Sequence, residues 1–405
     1  MGLDVLRALA PRSLKDAIPA PLKQRYYSLM FRRKPATAAA LRSMVTDLYE
    51  IPSDEYFKRD TSGLTETAVV PTNTYIETND TCNLNCIMCR TKDSVRQKGA
   101  MPLEAFERHV AQMYRDGGRA TTIHSIGDPL VNNNIEEYLK ILRKNKVGIS
   151  FLSSNCQFLH RHIDTILSYR DVISALRPSV DAASKATYEL VRDGASWERL
   201  HDNLLMFKRE NDKLARPMDI RFSTCVSKAN FHEIAYIPSV FSYISAPTTH
   251  SFSFANWKGP SLKDMERFNY FPGQLHHSAP CSMLWDTTII LKEGTLSVCC
   301  NDFDGGVVFG SADKDRKAEF NNETIRAFRR AHMANDRDNM PELCRECYRV
   351  DPRYGVLVSE LICWFYATGK KHPVYLQQSL NRIGPMLQDR KFPEILPEIE
   401  KLASL

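Results

Sequence analysis

The chain has 405 residues, of which 43% are hydrophobic and 25% charged, an ordinary globular balance with length for one large α/β domain and a smaller one. No run approaches the ~18–20 consecutive apolar residues of a membrane span, and no apolar leader with a small-residue cleavage site opens the sequence. The net charge of +6 resides in residues 1–34, which hold eight Lys/Arg and two acids, so residues 35–405 sum to zero and no nucleic-acid partner is expected of the body.

Residues 1–70 read as a basic N-terminal arm, broken into short pieces by Pro11, Pro19 and Pro21. From about Asn73 to Trp257, short β-like runs alternate with longer helical patterns. The strands are expected at Tyr75–Thr78, Thr121–Ser125, Gly148–Ser153, Ser174–Val180, Asp219–Val226 and Ser251–Phe254. Helical patterns lie between them at Leu103–Tyr114, Ile135–Asn145, His160–Tyr169, Lys185–Lys208 and Phe231–Tyr243. This alternation predicts a parallel sheet with helices outside, and six strands fit a partial (β/α)6 barrel whose chemistry sits at the C-terminal strand ends. The expected core spans 71–260. A smaller β-hairpin-plus-helix unit over 275–350 follows, with strands Thr287–Lys292 and Thr295–Cys299 around a Glu293-Gly294 turn and a helix near Asn322–Ala334. Residues 351–405 read as a helical tail.

Eleven cysteines without a secretion signal imply a reducing, cytoplasmic setting in which thiols bind metals, and seven of the eleven fall in two groups. The first is Cys82-x₃-Cys86-x₂-Cys89, directly after the first strand. Three thiolates on one short loop can take three corners of a cubane cluster and leave the fourth iron open to a ligand. A zinc loop would want a fourth ligand.

This loop resembles the hallmark of the radical S-adenosylmethionine (SAM) superfamily. The resemblance implies a 4Fe–4S cluster on Cys82, Cys86 and Cys89, with SAM chelating the open iron. Electron transfer from a donor such as flavodoxin or ferredoxin would cleave SAM to methionine and a 5′-deoxyadenosyl radical, which abstracts a hydrogen atom from the substrate. Met88 stands where the family contacts adenine. Ser125-Ile126-Gly127-Asp128-Pro129 looks like the family's Gly-Gly-Glu segment, which implies that Gly127 and Asp128 hold the SAM amino group, with Ile126 in place of the first Gly. Ser153 and Asn155 close the third strand, and Ser179 and Asp181 the fourth, where family members bind ribose hydroxyls. Taken singly, such residues are more often caps or turns.

The second group is Cys281-x₁₂-Gly294-x₄-Cys299 followed by Cys344-x₂-Cys347. Spacing alone leaves zinc and iron–sulfur open. The layout resembles the SPASM/twitch extensions of radical SAM enzymes, which implies an auxiliary 4Fe–4S cluster on these four cysteines. Full SPASM domains continue with a further cysteine, and Arg353 stands in that place. The shorter, one-cluster twitch form is therefore expected.

Relatives of this kind oxidise or epimerise small polar molecules or modify peptides. The expected substrate is a sugar or aminocyclitol, and the expected reaction dehydrogenation, which needs a base. Lys258 after the sixth strand and Asp302 beside a cluster ligand are candidates, though Asp302 reads equally well as a turn residue. Epimerisation would instead need a thiol to return a hydrogen atom, from Cys300, Cys225 or Cys156. Strand alternation is expected to turn Cys300 away from Cys299.

Overall fold

The computed structural model describes residues 36–51, 65–67, 70–71, 73–115, 119–244, 246–252, 267–271, 280–345, 347, 350–369 and 372–405. The basic residues 1–34 and Lys258 lie outside these. Ten strands are described: β1 Asn73–Ile76, β2 Ala120–Thr122, β3 Leu152–Ser154, β4 Ala175–Pro178, β5 Asp219–Ile220, β6 Phe222–Cys225, β7 Thr248–Ser251, β8 Thr287–Ile290, β9 Thr295–Ser297 and β10 Val308–Ser311.

All pairings from β1 to β7 are parallel. Single bridges at Ala120–Ile149, Ile149–Ile173 and Ser179–Ser223 join the short ladders into one series running β1 to β7 in chain order. This is the expected partial barrel, with β5 and β6 as two halves of its fifth strand. The sixth strand begins three residues earlier than its sequence pattern suggested, at Thr248. Along β6, Phe222 and Thr224 are buried and Ser223 and Cys225 half-buried, so one face packs under helices and the other lines the interior. The outer core combines Leu152, Leu176 and Phe222 with helix residues Phe106, Val110, Leu139, Leu142, Leu204 and Phe207.

The pattern over Lys185–Lys208 forms two helices, Lys185–Val191 and Trp197–Asp212. The first ends before Gly194, and Ser196 caps the second by accepting from the Arg199 amide. The break has a use: the Val191 and Asp193 carbonyls accept from the amides of Ile87 and Asn85 in the Cys82–Cys89 loop.

The expected hairpin also forms, but it is not a free-standing sheet. β8 pairs in parallel with β1 from Asn73–Thr287 to Ile76–Ile290, so β8, β9 and β10 extend the barrel's sheet beyond its first strand. A charged cluster fastens this join. Glu77 is fully buried just past β1. It pairs with Arg96 and accepts from the Lys292 amide at 3.0 Å, and Arg96 also bonds Glu293 in the hairpin turn.

At the far side, helices Ala38–Glu50, Pro352–Ala367, Pro373–Gln388 and Ile395–Ser404 pack together beside β7. The first lies inside the expected arm, burying Leu41, Val45 and Leu48 on one face. Its C-terminal carbonyls at Asp47 and Ile51 accept from Arg353. Helix Pro352–Ala367 meets β7 at Gly355, where an added Cβ would stand 2.3 Å from the His250 carbonyl oxygen. Gly355→Ala must push this helix off the last strand of the sheet. We expect a loss of about 1–3 kcal/mol, read as a fall in the chemical-denaturation midpoint. An unchanged midpoint would mean that the contact is not a constraint. Among the described residues, no helix is long and apolar enough to cross a membrane.

Candidate functional site at the barrel mouth

The Cys82–Cys89 loop leaves the C-terminal end of β1 and turns back on itself, with the Cys89 amide donating to the Cys86 carbonyl at 3.0 Å. Cys86 is buried, and Cys82 and Cys89 are half-buried. Burial pushes the Cys82 thiol up and that of Cys86 to about 12, so as bare thiols both hold their protons at neutral pH. Iron would supply the charge that makes them ligands. Two donors already point at the sulfurs: Asn155 Nδ2 lies 3.7 Å from Cys82 Sγ, and Arg192 Nη1 lies 3.7 Å from Cys86 Sγ. Hydrogen bonds and charge at the sulfurs are the levers that set a cluster's potential.

Behind the loop, Gly127 has φ +80°, and a Cβ there would stand 2.6 Å from the Thr81 carbonyl oxygen. A side chain at Gly127 would therefore displace the approach to Cys82. The next residue, Asp128, donates its amide to that Thr81 oxygen at 2.8 Å.

The carboxylates of Asp128 and Asp181, expected at SAM's amino group and ribose, are turned inward. Asp128 is 5% exposed and accepts from Ser154 Oγ at 3.0 Å and from the amides of Asn155 at 2.7 Å and Leu130 at 2.9 Å. It thereby ties the loop after β2 to the end of β3. Asp181 is fully buried, accepts from the Cys225 amide at 2.7 Å and pairs with Arg192 Nε at 2.7 Å. Both acids act as braces that set the backbone around the mouth. Ser153 and Ser179 are half-buried, and Asn155 is held by Asn83 and Gln157.

Met88, Cys89, Ile126, Cys225 and Phe268 pack around Phe303, an apolar wall that joins the first cysteine loop to the loop after Cys299. Polar contacts reinforce the join. Ser94 Oγ donates to the Phe303 carbonyl at 2.6 Å, the Val95 amide donates to Asp304 at 3.0 Å, and Arg90 pairs with Asp304 at 2.7 Å.

The second cysteine group also converges. Cys299 lies in the electrostatic field of Cys344 and Cys347, and Cys344 in that of Cys281 and Cys347. Among the described residues no three such side chains converge on a single ion. Thiols around a cubane stand farther apart, because each binds a different iron. Asp302 sits 2% exposed and accepts from Ser297 Oγ at 2.8 Å and from the amides of Gly306 at 2.5 Å and Val307 at 3.1 Å. That is the turn role, with both carboxylate oxygens engaged within the loop. β9 ends at Ser297, so strand alternation does not separate Cys299 from Cys300. Cys300 instead lies within electrostatic reach of Tyr75 on β1. Cys156 is fully buried, with Sγ 3.6 Å from the Ser154 carbonyl, and is a core residue without access to the mouth.

The sequence pattern of the Radical SAM superfamily matches residues 76–214, and that of the SPASM iron–sulfur cluster-binding domain matches residues 281–348. The chain is a radical SAM enzyme with a C-terminal SPASM domain. Its family brings a SAM-cleaving 4Fe–4S cluster and auxiliary iron–sulfur binding. No curated protein sequence matches it. Among solved structures, Streptococcus suis SuiB bound to S-adenosylmethionine is 14% identical, with 72% of this chain and 74% of SuiB covered at a TM-score of 0.50, a likeness of fold. BtrN in complex with AdoMet and 2-DOIA is 15% identical, with 70% and 95% covered at a TM-score of 0.45. Native anSMEcpe with bound AdoMet is 13% identical, with 78% and 99% covered at 0.48.

In this radical SAM enzyme the site depends on residues that the motif alone did not mark. Arg192 follows directly on the helix Lys185–Val191, and nothing in the helical pattern over Lys185–Lys208 assigns the arginine a task. Ile126, in place of a glycine, fills the wall between Met88 and Phe303. The signal for Phe303 was its position four residues after Cys299, and its contact across the mouth is a matter of tertiary structure.

Proposed function

We propose that this enzyme oxidises a small polar substrate, using a SAM-cleaving 4Fe–4S cluster on Cys82, Cys86 and Cys89 and one auxiliary cluster on Cys281, Cys299, Cys344 and Cys347. The observation that carries this is the loop of three thiols at the C-terminal end of β1, with the second cysteine group fastened beside it through Phe303 and Asp304. When bound, the reduced cluster supplies a 5′-deoxyadenosyl radical from SAM, which takes a hydrogen atom from the substrate. Flavodoxin or ferredoxin is the class of donor for that electron. Met88 lines the adenine side. The backbone around Gly127, kept in place by Asp128, meets the amino group, and Ser153 and Ser179 offer hydroxyls to the ribose. Held by Cys281, Cys299, Cys344 and Cys347, an auxiliary cluster would supply an acceptor for the substrate's second electron, and the base is Lys258, since the carboxylate of Asp302 is engaged in its own turn.

One observation favours a second reading, epimerisation. Cys300 approaches Tyr75, and Cys225 lies in the wall beside Met88, so thiols stand near the mouth. Turnover in D₂O with anaerobically reconstituted enzyme separates the two. Dehydrogenation yields a product two hydrogens lighter with no solvent deuterium at the oxidised carbon, and Cys300→Ala retains turnover. One deuterium on an inverted carbon, lost in Cys300→Ala or Cys225→Ala, would replace oxidation by epimerisation.

A further inference from the structure

We propose that the barrel interior holds an oxyanion site centred on Arg177, which receives a carboxylate or phosphate group of the substrate. This rests on the barrel mouth being the reaction site, and it names the chemistry of the molecule that enters.

On β4, Leu176 packs into the outer core, so Arg177 and then Ser179 face the interior. Arg177 stands in register with Ser153 on β3, and its guanidinium carbon lies 4.6 Å from the Phe151 ring centroid. Across the interior, the register between β1 and β2 shifts so that Thr74 opposes Ala120 while Tyr75 opposes Thr122. The extra residue turns Thr122 to the same side as Tyr75. The Thr122 hydroxyl lies 2.8 Å from His124 Nδ1, and His124 and Tyr75 both lie in the field of Arg177.

Among the described residues no carboxylate bears on Arg177 itself, although Asp286 lies in the field of Tyr75. Burial and Arg177 bring His124 down to about 4, so at neutral pH it is uncharged. Burial raises Tyr75 to about 12, so it keeps its phenolic proton. The remaining neighbour that bears on Arg177 is another cation, Arg221, itself paired with Asp219 at 2.9 Å. Among the described residues Arg177 makes no hydrogen bond or ion pair, and its partner is the flat face of Phe151. Desolvation, with a smaller contribution from Arg221, lowers its proton affinity, yet guanidinium remains charged in proteins. Arg177 is half-buried, so its guanidinium is open to the barrel interior, and an oxyanion entering there meets a cation without a protein counter-charge among the described residues. The guanidinium fork and the Tyr75 hydroxyl are donors, and the uncharged His124 ring adds no negative charge beside them, a set matched to carboxylate or phosphate oxygens.

The position suits a substrate anchor. Arg177 precedes Ser179 by two residues on the same face of β4, roughly 7 Å deeper in the barrel than the strand end expected at the ribose. A molecule held there by its anionic end would present its other end upward, toward the mouth. The same charge repels a cationic aminocyclitol, so among the small polar molecules expected from the sequence the site selects acidic or phosphorylated ones.

The test titrates inorganic phosphate and, separately, acetate into the anaerobically reconstituted full-length protein containing SAM, followed by calorimetry. Wild type should bind at least one of them saturably, and the tighter of the two identifies phosphate or carboxylate as the group taken. Arg177→Gln should weaken that binding at least tenfold, and Arg177→Lys by less, because the charge stays while the two-pronged geometry goes. Iron content and the visible absorbance of both variants should match wild type, which establishes that they are folded. Equal binding by Arg177→Gln, or no binding of either anion to wild type, overturns the site. Failure of the wild type to form 5′-deoxyadenosine would instead overturn the functional reading, with the anion titration still legible.

Discussion

Replacing Cys82, Cys86 and Cys89 together with Ala abolishes reductive formation of 5′-deoxyadenosine, while about four irons stay bound to the protein. The three thiols share one loop whose path is set from both sides. Gly127 and Asp128 hold it at Thr81, and the Val191 and Asp193 carbonyls hold it at Ile87 and Asn85. Those contacts are backbone or lie outside the cysteines, so the fold should survive the change. The second group flanks the hairpin, with Cys281 before β8, Cys299 just after β9 and Cys344 and Cys347 farther along, and the hairpin is anchored to β1 by its own ladder. The group should therefore keep its iron with a 4Fe–4S Mössbauer signature. SAM cleavage by the triple variant under dithionite would refute the first ligand set. Retained zinc alone, or about eight irons, would refute a single auxiliary cluster.

Arg192→Met destabilises the protein by about 3–5 kcal/mol. Asp181 is fully buried and its carboxylate has two charged or polar partners, the Cys225 amide and Arg192. Burial pushes Asp181 up, Arg192 pulls it back, and the guanidinium in turn is held by the acid. Removing the cation strands a carboxylate in the interior, and removal of one partner from a buried pair is the costly case. It also deletes the donor at Cys86 Sγ, so the variant should hold the first cluster less tightly. Adding Asp181→Asn should restore much of the stability, because the stranded charge disappears, but not the contact with Cys86. Urea denaturation and iron content measure the two effects separately. A loss under about 1 kcal/mol for the single variant would show that water reaches the pair.

Legibility varied with how local the cause was. The six barrel strands and their helices followed from apolar periodicity, which is written in neighbouring residues. Boundaries moved where a backbone event intervened. The helix expected through Lys208 breaks around Gly194, and the last barrel strand starts at Thr248. Asp128 and Asp181 were visible as polar residues at strand ends. Their inward turn was not, because it depends on Ser154, Arg192 and Cys225 from other strands and loops.

By itself, the sequence determined the family chemistry of this protein. Cys82-x₃-Cys86-x₂-Cys89 needs only short spacing to offer three thiols from one loop, and the alternating pattern places that loop at a strand's C-terminal end. Tertiary structure alone decided which charges became braces and which were left to meet a substrate. It also decided that the hairpin of the SPASM domain continues the barrel sheet through β1, and that Phe303 closes one wall of the mouth. The physical reason is burial. A carboxylate or guanidinium has the same formula at any position, but its role depends on what opposes it once water is removed. Asp181 meets Arg192, whereas Arg177 faces Phe151, Tyr75 and His124.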